Sequence, residues 1–149
     1  MTQEEKELLL KDLCARLSYG VKVQFENKIV DIEYISSIHQ EVKLDTLDNY
    51  TVSLSEIIPC LRPMSSMTEE EFNDLKEYTG LKYGHGRGLE LSSFMNDTYK
   101  CLDFYLSEVP SYVVVLVFDW LNAHHFDYRG LIEKGLAIEA PEGMYNDKK

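Results

Sequence analysis

The sequence has little cysteine, a shortage of basic charge and no long apolar run, and each shortage closes off a class of function. Its three cysteines, Cys14, Cys60 and Cys101, are widely spaced and include no C-x-x-C pair, which argues against both a disulfide framework and a zinc knuckle. Buried or half-buried thiols are expected instead, because reduced Cys behaves as a small hydrophobe. The longest apolar run, Tyr112 to Phe118, falls well short of the roughly 18 residues that a membrane-spanning helix requires. The opening Met-Thr-Gln-Glu-Glu-Lys-Glu is acidic and polar where a secretory signal would be basic and then apolar, so the expected location is the cytoplasm. Only 15 basic residues stand against 26 acidic ones, a formal net charge of −11. Direct nucleic-acid binding is therefore not expected, since nonspecific grip on phosphates comes from clustered Lys and Arg, and here only Lys148 and Lys149 are adjacent.

What is present reads as two halves. At 149 residues the chain is long enough for one sizeable core, or two small lobes, without disulfides or metal. Thr2 and Glu5 have the spacing of a capping box, and Leu9, Leu13 and Leu17 recur at helical spacing until Gly20. From Val21 the period becomes two: Val21 to Phe25, Ile29 to Ile35, Val42 to Leu44 and Tyr50 to Leu54 read as short antiparallel strands, with Asn27-Lys28 and Asp48-Asn49 as turns. Strands this short can bury a face by curling into a barrel that removes exposed edges, so residues 20 to 60 are expected to form a small SH3-like β-barrel. Ser55 to Pro59 reads as a helical turn closing it, and Leu61 to Ser66 as a connection.

The second half reads as helical. Thr68 with Glu71, and Met67 with Phe72, form a capping box and a hydrophobic staple that predict a helix from Glu69 to about Tyr78. Gly80 to Gly88 should be a loop, and Ser92 or Ser93 should cap a helix with a Met95, Tyr99, Leu102, Leu106 stripe ending at Pro110. Tyr112 to Phe118 is valine-rich, yet its continuation into Asp119 to His124 favours a helix. A short helical piece over Leu131 to Leu136 and a frayed end from Pro141 follow. The fold class is α+β, organised as residues 1–66, helix plus barrel, and 67–149, a helical part packed on it or sharing one domain with it.

Two clusters could carry chemistry. His124, His125 and Asp127 offer imidazoles and a carboxylate to a transition metal, with Asp119 as a further donor, and so to a metal-dependent hydrolase. Adjacent histidines on a helix point about 100° apart, however, and a helix C-terminus gives histidines a structural role. Gly84, Gly86, Arg87 and Gly88, with Lys82 nearby, could cradle a phosphate, but without the spacing of a dinucleotide fingerprint or a P-loop the simpler reading is a surface loop. No nucleophile elbow or cysteine signature is present, and no catalytic residue or cofactor is expected.

The stretch Asp119 to Ala140, the stretch Leu61 to Glu71 and the opening Glu4 to Leu17 resemble a group of uncharacterised proteins of gut Bacteroides-type bacteria and their phages or prophages. The resemblance implies a small intracellular accessory or host-interaction protein and carries no activity or site residues with it. Ten Tyr, six Phe and one Trp supply rigid contact area with polar tips. The leading expectation is a non-enzymatic module that binds a protein or peptide. A metal-binding protein and an acidic mimic of DNA are the rivals.

Overall fold

Two segments of chain far apart in sequence build one compact unit, Met1–Arg62 with Arg129–Lys149, and the stretch between them, Pro63–Tyr128, forms a second. The computed structural model describes residues 1–45, 51–81, 90–96 and 111–145. In the first unit the capping box at Thr2 closes as its spacing requires: Thr2 Oγ1 accepts from Glu5 N–H at 3.1 Å, and Glu5 Oε2 accepts from Thr2 N–H at 2.8 Å. This starts α1 (Gln3–Arg16), which buries Leu9 and Leu13 and ends through a 3-10 turn at Gly20, whose φ of 76° suits a residue without Cβ.

The strands β1 (Lys22–Phe25), β2 (Lys28–Ser36), β3 (Glu41–Leu44), β4 (Val52–Ser53), β5 (Ile58–Leu61) and β6 (Ile138–Glu139) form one sheet in the order β4-β3-β2-β1-β5-β6, antiparallel except for the β5–β6 pair. The first hairpin turns on Glu26 and Asn27, both at positive φ, one residue earlier than the sequence suggested, because a two-residue turn with two left-handed positions matches the twist of the strands. Val23, Val30, Val42, Leu44 and Val52 face a core shared with Leu9 and Leu13, and each such aliphatic side chain contributes about 1.5 to 3 kcal/mol when fully buried.

The sheet is open, which corrects the expected closed barrel. Both edges of β5 are taken, by β1 and β6, and β4 and β6 end the sheet without pairing with each other. The expected helical turn at Ser55 to Pro59 also resolves differently. A 3-10 turn covers only Leu54–Glu56, capped by Ser53, and Ile58 onward is strand despite Pro59. Leu131 to Leu136 is a closed turn rather than a helix: Lys134 N–H bonds Gly130 C=O and Leu136 N–H bonds Leu131 C=O around Gly135 at positive φ. Nor do Pro141 to Tyr145 fray, for the Tyr145 hydroxyl is anchored in the sheet, and the residues after it lie outside the described ones.

In the second unit α2 (Glu69–Thr79) begins at the expected box, with Glu71 N–H donating to Thr68 Oγ1 at 3.1 Å, and it stops at Gly80 in the left-handed region. The next helix, α3 (Leu91–Asn96), starts before the expected caps, so Ser92 and Ser93 lie inside it, while Tyr99, Leu102 and Leu106 of the expected stripe lie outside the described residues. The valine run is helical, as α4 (Ser111–Ala123). Phe72, Leu75, Phe94, Val117, Trp120, Leu121 and Phe126 form this unit's core. No helix is long and apolar enough to cross a membrane among the described residues.

Candidate functional site

The histidine cluster lies at the end of α4, and backbone geometry accounts for its arrangement. His125 N–H bonds Asn122 C=O at 3.1 Å and Phe126 N–H bonds Leu121 C=O at 3.0 Å, the paired bonds of a Schellman ending. His125 therefore occupies the left-handed position, φ 60°, that glycine usually fills. The hydrophobic contact that accompanies this ending is Phe126 on Trp120, ring centroids 5.9 Å apart. His124 also stacks on Trp120, centroids 3.8 Å apart and 21° from parallel, with Nδ1 2.8 Å from Trp120 C=O. A carbonyl only accepts, so the proton belongs on Nδ1 and Nε2 carries the lone pair of the neutral ring. His125 and Asp127 are buried. Among the described residues no three His, Cys, Asp or Glu side chains come together to hold a metal ion. Gly84, Gly86, Arg87 and Gly88 lie outside the described residues, as does Cys101.

The first unit presents a different kind of site, one that strict alternation does not locate. Strict alternation along Ile29 to Ile35 would put Tyr34 on the same face as Val30 and Ile32. The register shifts between Ile32, opposite Leu44, and Tyr34, opposite Lys43, so Glu33 is an extra residue in β2. Beyond this bulge the faces exchange: Ile35 packs toward the core with Val42 opposite it, and Tyr34 turns to solvent, 50% exposed. The pairings Gln24↔Ile29 and Gln24↔Ile58 set Ile29 and Ile58 on either side of Gln24 on that same solvent face, 45% and 38% exposed. With strands about 4.8 Å apart, the row Ile29–Gln24–Ile58 spans about 10 Å. Two ion pairs border it, Lys22 Nζ to Asp31 and Lys43 Nζ to Glu33, each at 2.9 Å.

Beneath the row, the end of the β1–β5 ladder is held apart by a side chain. After Gln24↔Ile58 and Val23↔Pro59 the next opposed residues are Lys22 and Cys60, yet their backbones do not pair. Lys22 N–H donates to Tyr145 Oη at 2.9 Å, and that hydroxyl donates to Cys60 C=O at 2.7 Å. Burial raises the Tyr145 pKa well above the ordinary phenol value, outweighing the opposing effect of the Lys22 bond. Burial likewise raises the thiols of Cys60, which is buried, and of Cys14, which is exposed on α1.

A buried ionic group ties α1 to the returning chain. Asp12 accepts from Arg16 through both oxygens, Nε at 2.9 Å and Nη2 at 3.1 Å, and from Arg129 Nη1 at 2.7 Å. Asp12 and Arg16 are fully buried. The Asp12–Arg16 spacing of four was legible on the helix, but their burial was not, because a stripe of charges on an amphipathic helix ordinarily faces water.

In the second unit a cleft of about 420 Å³ opens between α2 and the start of α3, lined by Glu69, Phe72, Lys76, Glu90, Leu91, Ser92 and Met95. No protein-family model, curated protein or solved structure matches the chain.

Proposed function

We propose that the chain is a non-enzymatic, intracellular protein-binding module, and that its partner is a protein with an apolar segment and a basic surface laid across the solvent face of the sheet. The observation that carries this reading is the exposed pair Ile29 and Ile58 flanking Gln24, with Tyr34 on the same face farther along β2 beyond the Lys22–Asp31 ion pair. Exposed apolar groups are ordinary when scattered singly, but an exposed isoleucine pair bordered by ion pairs suits recognition. Tyrosine adds contact area with little entropy to lose, and the net charge of −11 favours a basic partner. The order β4-β3-β2-β1-β5, with a 3-10 turn between the last two in sequence, supports reading these strands as an SH3-like unit left open by β6.

The test is affinity capture from a lysate of Bacteroides-type cells, comparing the wild type with Ile29→Glu/Ile58→Glu at low and moderate salt. A saturable partner retained by the wild type and lost by the variant is expected. Capture of the same proteins by both, with the variant's fold intact by circular dichroism, would refute the assignment to this face. A DNA-binding partner released steeply by salt, and indifferent to the variant, would favour acidic mimicry instead.

A further inference from the structure

We infer that the cleft between α2 and α3 is a binding site for an organic cation, an alkylguanidinium or alkylammonium group on an apolar stem of about four carbons. Its apolar lining is the half-buried Leu91 and Met95, with the buried Phe72 ring behind Lys76, and its rim carries Glu69 and Glu90 against the single ammonium of Lys76, a formal charge of −1. A monocation with an apolar stem matches both parts, the stem lying on the lining and the head near the carboxylates, as long basic side chains do wherever they snorkel over apolar surface. The positive end of α2 opposes a cation by only about half a charge, and Glu69, the first-turn glutamate that lines the cleft, outweighs this.

The second observation is that Phe72 already carries a cation. Lys76 Nζ stands 4.8 Å from the centre of the Phe72 ring, inside the range for a cation–π contact, so the ring face in this cleft accommodates a positive group. Lys76 thus acts as an internal occupant that an incoming cation competes with or displaces. This assigns the residues different signs: Glu69 and Glu90 favour the ligand and Lys76 opposes it. A purely structural cleft would show no such opposition.

The inference does not depend on the sheet face of the first unit. The probe is n-butylguanidinium, titrated by nuclear magnetic resonance into the full chain, with neutral pentanamide as its isostere. A dissociation constant in the millimolar range is expected for the cation, with shifts at the Met95 methyl and at least tenfold weaker binding of pentanamide. Glu69→Gln/Glu90→Gln should weaken the cation at least fivefold, and Lys76→Ala should tighten it. Glu56→Gln, on the other unit, should leave it unchanged. A short alanine peptide with one central arginine then separates the sources: tighter binding than butylguanidinium assigns the site to a basic side chain of a partner, and weaker binding assigns it to a small free guanidine or amine. Equal binding of the neutral isostere, indifference to the glutamine pair in a folded variant, or weaker binding after Lys76→Ala would each overturn the proposal.

Discussion

Replacing Tyr145 by Phe removes one oxygen atom and leaves the ring, so it isolates the hydroxyl that spans Lys22 N–H and Cys60 C=O. Two backbone groups lose their partner together. An unsatisfied buried donor or acceptor costs about 1 to 3 kcal/mol, and β1 and β5 can recover part of this by drawing together to pair directly, so a loss of about 2 kcal/mol is expected. The first assay is amide hydrogen exchange: an opening made easier by about 2 kcal/mol speeds exchange at Lys22 by roughly 30-fold. The second is the alkaline limb of stability. Burial raises the folded-state pKa of Tyr145 above its unfolded value near 10, so its contribution is complete below about pH 10 and is lost as pH climbs through the folded value, when the phenolate can no longer donate to Cys60 C=O. The wild type should therefore lose stability above pH 10 faster than Tyr145→Phe. Lys22 exchange at the wild-type rate, together with superimposable alkaline limbs, would refute the bridging role.

Asp12→Ala removes the carboxylate that two guanidinium groups share, one of them fully buried, and should cost about 3 to 5 kcal/mol in urea unfolding, far more than an exposed ion pair such as Lys22–Asp31. Alkylation followed by mass spectrometry should label Cys14 well before Cys60, because both thiols are held up by burial but only Cys14 reaches solvent; equal rates would contradict the packing around Cys60. Deleting Glu33 should leave a folded sheet, since Val30, Ile32 and Ile35 then alternate without a bulge, and chemical unfolding should show a cost of no more than about 1 to 2 kcal/mol. Deleting Asp31 instead turns Ile32 to solvent and Glu33 to the core before the alternation recovers at Tyr34 and Ile35, and should destabilise the unit more than deleting Glu33.

The helices with local start signals were legible because their information lies within four residues. Thr2 with Glu5 and Thr68 with Glu71 form the boxes their spacing announces. The ambiguous valine run was settled by the residues after it, since Asp119 to Ala123 continue α4. What sequence could not supply was pairing at a distance. A two-residue strand such as β6 has no period to detect, yet it extends the sheet beyond β5 and forms one of its open edges. The solvent-facing row was hidden for a related reason: a bulge leaves composition unchanged and resets the alternation, so the strand's period alone does not say which face Tyr34 and Ile35 take. His124 and His125 stood out as residue types, but the αL ending of α4 decides where they point, and φ at one residue is invisible in a pattern of apolar positions.

The Tyr145 bridge also sets a timetable for synthesis. Its two backbone partners belong to strands made early, while the hydroxyl that joins them follows Cys60 by 85 positions, an interval of about 4 to 17 s at ordinary elongation rates. During that interval β6 is also missing, so the outer edge of β5 and the gap beside Lys22 are exposed on the nascent chain, while the whole of Pro63–Tyr128 emerges and can fold. The first unit thus begins folding first and is completed last, and the ribosome-bound chain passes through a stage in which an unpaired strand edge is available to chaperones or to a neighbouring nascent chain.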